Sequence, residues 1–156
     1  MGRTSAGIAM YRRRGNTIEL FLVHPGGPLY TGKDLGVWSI PKGEFEDEEP
    51  LQAAKREFLE ETGVEIEGDF VPLSPIRQKS GKMVYAWASE GYIDPSLVKS
   101  NTFEMEWPPK SGKKASFPEI DRAEWLSARK AVKKINPAQV ALINELLHKL
   151  GLPPAS

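Results

Sequence analysis

Apolar and polar residues alternate over two stretches near the N-terminus, and the alternation predicts strands at Thr4–Arg12 and Thr17–His24. Arg14-Gly15-Asn16 lies between them as a tight turn. His24–Gly36 (HPGGPLYTGKDLG) is rich in Gly and Pro and reads as a long loop, followed by a short apolar strand, Val37–Ile40, that stops at Pro41. The period then changes. From about Glu49 to Thr62 the apolar residues Leu51, Ala54 and Phe58 recur at helical spacing. Pro50 suits the first turn of that helix and Gly63 its C-terminal stop. Two more strands are expected at Pro72–Lys79 and Lys82–Glu90, around a turn at Ser80-Gly81. Ser100–Pro118 carries prolines and three aromatics and reads as a long excursion. Ala123–Leu126 is expected as the last strand. Ser127–Lys134 and Pro137–Leu150 read as helices, the second with Leu142, Leu146 and Leu150 on one face. No internal repeat or linker interrupts the pattern, so one mixed α/β domain, richer in strands than helices, is expected over residues 1–156.

Composition narrows the classes of function. At 40% hydrophobic and 27% charged residues the chain has an ordinary globular make-up. A net charge of +0 provides no general attraction to nucleic acid or membrane. The lack of cysteine excludes disulfides, thiolate zinc sites and a cysteine nucleophile. No apolar run reaches the roughly 18 residues of a membrane span, and MGRTSAGIAMYRRRG has no signal-peptide core. A cytoplasmic protein is expected.

The neutral total conceals an acidic segment. Pro41–Val64 holds eight acidic residues against three basic ones. On a helix, Glu57, Glu60 and Glu61 fall within about 100° of arc, where like charges repel. Two readings are open. The helix wears a solvated charged face, with Arg56 pairing to Glu60 at i,i+4, or the carboxylates bind a divalent cation. Mg²⁺ prefers hard oxygen ligands and keeps waters and substrate phosphates in its shell. Arg56 would then hold one carboxylate through a two-pronged hydrogen bond.

Gly43, Glu48, Arg56-Glu57-Phe58, Glu60-Glu61 and Gly63-Val64 together resemble the Nudix box, G-x5-E-x7-R-E-U-x-E-E-x-G-U, with one residue fewer between Gly43 and Glu48. The preceding VWSIPKG, the strand MVYAWAS and the later EIDRAEWLSARKAV are also similar to elements of that family, so the resemblance covers nearly the whole chain, with the box at 43–64. It implies a Nudix α/β/α sandwich, with a mixed sheet between helices. It further implies an enzyme that uses Mg²⁺ or Mn²⁺ to hydrolyse a pyrophosphate bond in a nucleoside diphosphate derivative.

By that resemblance Gly43, Glu57, Glu60 and Glu61 are expected as metal ligands, with Glu57 also a possible base oriented by Arg56. Glu48, near the helix start, complements the helix dipole on the simplest reading. Lys42, in PKG, resembles the dinucleoside polyphosphate branch, where further phosphates call for positive charge; Arg77, Lys79 and Lys82 are nearby basic residues. Diadenosine tetraphosphate is therefore the favoured type of substrate, ahead of oxidised nucleoside triphosphates, with nucleotide sugars and ADP-ribose third. A nucleotide-binding module without catalysis is the other class. Phe103, Trp107 and Phe117 are candidates for stacking on a base, and Tyr85 and Trp87 for the core or a pocket wall. Glu104, Glu106 and Glu119 are candidates for a base outside the box, Glu104 being taken as the catalytic one. His24 and His148 are too isolated to suggest ligation. The two KSGK runs lack the other residues of a P-loop. Lys110, Lys113 and Lys114 form too short a run to make nucleic acid an expected partner.

Overall fold

A computed structural model describes residues 3–155; Met1, Gly2 and Ser156, which the expected domain span includes, lie outside the described residues. The first hairpin forms as the alternation predicts. β1 (Thr4–Arg14) and β2 (Thr17–Pro25) meet at Gly15, whose φ of 58° is one that glycine adopts at no steric cost. Beyond Tyr11 and Leu20 the two strands part, and residues 39–44 enter between them. Ser39 bridges to Val23 of β2, and β3 (Lys42–Glu44) pairs antiparallel with Ser5–Gly7 of β1.

This corrects the expected strand at Val37–Ile40. Trp38 and Ser39 make isolated bridges only, while Trp38 and Ile40 are buried in the core. Pairing resumes after Pro41, which has no N–H to give a ladder.

α1 (Pro50–Thr62) follows, with Pro50 in its first turn and Gly63 closing it at φ 79°. The expected strand Pro72–Lys79 is reduced to β4 (Val71–Pro72) and β5 (Ile76–Arg77), both on β6 (Met83–Glu90). Pro72 and Pro75 cannot donate to a ladder, so Ser74 and Pro75 lie outside it. β6 runs parallel to β1, which makes the sheet mixed. The path is β4-β6-β1-β2-β9, where β9 is Ile120–Ser127, with β3 on β1 and β5 on β6.

The excursion at Ser100–Pro118 is itself a hairpin, a second correction. β7 (Thr102–Glu106) pairs with β8 (Lys114–Pro118), and Phe103, Met105, Ala115 and Phe117 share its half-buried face. The Glu106 carboxylate closes its turn by accepting from the N–H groups of Lys110 and Gly112 (both 3.0 Å). β9 (Ile120–Ser127) is longer than expected, and Ser127 caps α2 (Ala128–Lys134). A short 3₁₀ turn at Pro137–Gln139 leads into α3 (Val140–Lys149).

Two cores flank the sheet. α1 lays Ala53, Ala54 and Phe58 against Ala6, Ile8, Met10 and Phe21 on one face. α2 and α3 bring Ala131, Leu142, Ile143 and Leu146 against Ala9, Ile18, Leu20 and Leu22 on the other. This is the α/β/α layering expected. Complete burial of Phe58 contributes roughly 2–3 kcal/mol to fixing α1 on the sheet. No helix among the described residues is long and apolar enough to cross a membrane.

Candidate active site

α1 turns Phe58 into the core and so carries Glu57, Glu60 and Glu61 to the rim of a cavity of about 360 Å³. Glu57 is only 8% exposed and lies against Gly43 of β3; a Cβ at Gly43 would run into the Glu57 carboxylate. That close approach is the steric reason for glycine here. Gly7 serves the same end one strand away. A Cβ there would come within 2.6 Å of Lys42 Cβ, so the absent side chain lets Lys42 cross β1 and line the cavity.

Arg56 is the hub of the carboxylates. Its Nε and Nη2 donate to Glu48 (3.0 and 2.7 Å), and its Nη1 donates to Glu57 and Glu60 (both 3.0 Å). The two-pronged bond thus goes to Glu48, which is neither the N-cap nor in the first turn; Glu49 is the N-cap. Glu48 binds Arg56 from the loop, one residue before the N-cap.

Burial, more than any one neighbour, shapes the electrostatics of the cavity. Burial first, then repulsion from Glu60, raises the Glu57 carboxyl above its ordinary value, against the pull of Arg56. Burial, then Glu119 and Glu57, pushes Glu61 up to about 8, with Lys42 opposing. Lys42 is pushed the other way, held below the usual lysine range by burial and by Lys82.

Glu119 reaches this cluster through the stem of the β7–β8 hairpin. Asn101 N–H donates to the Glu60 carbonyl (3.2 Å), and Glu119 N–H donates to the Asn101 carbonyl (2.8 Å). The stem is therefore tied to the end of α1, and Glu119 lines the cavity with Lys82, Asn101, Ser5 and Glu44. A second cavity of about 470 Å³ shares Lys42, Glu61, Lys82 and Glu119 and extends along Tyr30, Ile40, Gln78 and Gln139. Gln139 is completely buried and oriented by the Ile40 N–H (3.1 Å), with its amide donating to Gln78 (3.1 Å). His24 secures the adjoining loop. It is 2% exposed, and its ring nitrogens bond the Asp121 carboxylate and the Lys33 carbonyl, each at 2.7 Å.

The structure therefore brings Lys42, Gly43, Glu57, Glu60 and Glu61 around one cavity, with Arg56 joined to it by hydrogen bonds. Of the candidates outside the box, Lys82 and Glu119 also line it, whereas Glu104, Arg77, Lys79, Tyr85, Phe103 and Trp107 do not. Glu104 is exposed on β7 opposite Ser116, because alternation along that strand turns Phe103 and Met105 inward. Arg77 donates to the Gly81 carbonyl (3.1 Å) to close a surface turn, and Lys79 is exposed in that turn. Tyr85 pairs with Ala6 in mid-sheet, and Trp87 packs on the α1-side core. Phe103 lies against Phe117, at 6.0 Å between ring centroids, and over Gly27. Trp107 takes part in the hairpin turn through its N–H to Lys113. Ser5, Gln139 and Tyr30 carried no local signal in the sequence; their place in the cavity comes from distant packing.

A family model described as the NUDIX domain matches residues 1–146. The chain belongs to that family. No curated protein matches the chain. Among solved structures this Nudix protein is similar to a C. elegans Ap4A hydrolase in a binary complex, with a TM-score of 0.67, 22% identity, and 96% of this chain and 98% of that chain covered. It is similar to the NUDIX domain of Shewanella oneidensis NrtR complexed with ADP ribose, with a TM-score of 0.66, 13% identity, and coverages of 96% and 89%. The E. coli ORF135 protein gives 0.58, 21% identity, and 99% and 96%. At these identities the likeness establishes the fold.

Nudix hydrolases generally use divalent metal cations, and the donors here fit one. Glu57, Glu60 and Glu61 are hard oxygen donors crowded at one rim, and burial followed by repulsion from neighbouring carboxylates raises the carboxyls of Glu57 and Glu61, which a bound cation would relieve. Among the described residues no three acidic or histidine side chains converge closely enough to hold an ion alone, so water and phosphate oxygens would complete its shell.

Glu61 also yields a stability test. Its folded value of about 8 exceeds the ordinary 4.5, so its contribution is complete below pH 4.5 and is lost as pH rises toward 8. In EDTA, wild-type stability is expected to fall by on the order of 3 kcal/mol over that range, allowing for partial solvent access. Glu61→Gln is expected to flatten the curve. Urea unfolding across pH checks this, and parallel curves for the two proteins would refute it.

Proposed function

We propose that the protein hydrolyses a phosphoanhydride bond in a nucleoside diphosphate derivative with Mg²⁺ or Mn²⁺, preferring dinucleoside polyphosphates such as diadenosine tetraphosphate. One observation carries the preference: the Lys42 ammonium faces the cavity of Glu57, Glu61 and Glu119 with no hydrogen bond or ion pair from another described residue. A cation without a partner beside carboxylates suits a polyphosphate, whose oxygens take lysine directly and the carboxylates through bound cations. The similarity to an Ap4A hydrolase supports the same choice.

When bound, a divalent cation would be held by Glu57, Glu60 and Glu61, with the Gly43 carbonyl beside them, and would supply charge neutralisation and an acidified water. The chain's own residues do the rest. Arg56 holds Glu57 and Glu60 in place. Lys42 binds oxygens of the phosphate chain. Glu119, in place of Glu104, takes the proton of the attacking water as a P–O bond forms and the anhydride P–O bond breaks. The nucleoside lies in the second cavity along Tyr30, with the half-buried Gln78, held by the Gln139 amide, to meet polar edges.

The test is hydrolysis of diadenosine tetraphosphate, 8-oxo-dGTP, ADP-ribose and a nucleotide sugar with Mg²⁺, products being separated by chromatography. Fastest release of ATP and AMP from the tetraphosphate is expected. Pyrophosphate from 8-oxo-dGTP as the best reaction would transfer the assignment to nucleoside triphosphates. No turnover of any of the four by folded protein would favour a binding module.

A further inference from the structure

Gln78 and Asn136, both half-buried, line the second cavity beside the completely buried Gln139. An amide accepts at one end and donates at the other, so its partners decide which end is left for a ligand. Backbone groups fix that choice here, because each has a single role.

The Ile40 N–H can only donate, and it donates to Gln139 Oε1 (3.1 Å). Ser39 Oγ lies 3.4 Å from the same oxygen but 2.7 Å from the Ile40 carbonyl, which takes its hydrogen. Gln139 Nε2 therefore donates to Ser39 Oγ (3.0 Å) and to Gln78 Oε1 (3.1 Å). The Gln78 oxygen is thus turned toward Gln139. Its Nε2, the opposite end of the same planar group, is open to solvent and has no acceptor among the described residues. Asn136 repeats the arrangement. Its Oδ1 accepts from the Ala138 N–H (3.0 Å), which leaves Nδ2 likewise open and without an acceptor among the described residues.

We propose that Gln78, held in this orientation by Gln139, makes the protein select guanine over adenine. The proposal rests on the hydrolase reading only in placing the nucleoside in this cavity. Guanine offers two neighbouring acceptors, O6 and N7, where adenine sets an N6 donor beside its N7 acceptor. A free glutamine takes adenine through both of its ends; Gln78 cannot, because its oxygen is already engaged. Oxidation of guanine at C8 puts a hydrogen on N7 and removes one acceptor, which ranks 8-oxo-dGTP lower as well. The preferred substrate is a guanine-bearing dinucleoside polyphosphate. Gln139 is a positioning residue that acts through Gln78.

Calorimetric titration of GDP and ADP in EDTA tests this without turnover. Wild type is expected to bind GDP at least about tenfold more tightly than ADP. Gln78→Glu keeps an oxygen for Gln139 and turns the open donor into an acceptor. Its added charge weakens both nucleotides, so the ratio of their affinities is the readout, and ADP is expected to become the tighter ligand. Gln139→Glu removes the donor that orients Gln78, so Gln78 turns its Nε2 inward, and the preference for GDP is expected to fall about tenfold. A merely structural role for Gln139 would change Tm and leave the ratio alone. The proposal is overturned if wild type binds both nucleotides equally or binds neither, or if Gln78→Glu keeps the wild-type ratio. An unchanged ratio in folded Gln139→Glu would remove Gln139 as the positioning residue. If diadenosine tetraphosphate is hydrolysed but GDP is not favoured, only the base selection falls. If GDP is favoured and no substrate turns over, only the hydrolase reading falls.

Discussion

Glu57→Gln is expected to lower kcat for the preferred substrate by about 10²- to 10⁴-fold while the protein stays folded. Glu57 is the most buried carboxylate of the cluster, wedged between Gly43 and the Arg56 guanidinium. Glutamine keeps the size and an oxygen for Arg56, so the packing survives. What disappears is the negative charge, which burial and Glu60 already make costly to maintain. The variant should therefore be at least as stable as wild type above neutral pH in EDTA, where the charged form is penalised. Steady-state kinetics and thermal unfolding on the same preparation check both statements. Turnover within threefold of wild type would remove Glu57 from the chemistry.

Arg56→Met is expected to reduce kcat by about 10²-fold, because the carboxylates it aligns would lose their positions rather than their charge. Arg56 touches Glu48, Glu57 and Glu60 at once, and methionine retains only the apolar stem. Three carboxylates would then face one another without the cation between them, at a cost of roughly 1–2 kcal/mol in stability at neutral pH. The sign of the pH dependence follows. Arg56 holds Glu48 below its ordinary value and opposes the rise at Glu57, so without it both carboxyls move up. The deficit relative to wild type should be complete at neutral pH and shrink as pH falls through the carboxylate range. Unfolding at pH 4 and pH 7 measures it; an equal deficit at both would point to lost packing instead.

Much of this site could be read from one segment. Glu57, Glu60 and Glu61 share a helix face because 3.6 residues make a turn, and Phe58 fixes which face meets the sheet. Those relations are local, so spacing was enough. Glu104 and Glu119 show the opposite case. Glu104 belongs to the region read as an excursion, and Glu119 directly follows it. Only the β7–β8 register decides that Glu104 points to solvent, and only the bonds of Asn101 to α1 decide that Glu119 meets Glu61. Phe103 looked like a stacking platform for the same reason; alternation packs it on Phe117.

The sequence by itself determined the family, the mixed α/β class and the acidic face of α1, because helix period, strand alternation and turn chemistry act over a few residues. The tertiary structure decided which charges share a cavity. Lys42, Lys82, Ser5 and Glu119 come from four separated places in the chain, brought together where residues 39–44 enter between β1 and β2 and where the hairpin stem ties to α1. Interactions between charges depend on distance and burial, and neither is a property of sequence spacing once the chain has turned back on itself.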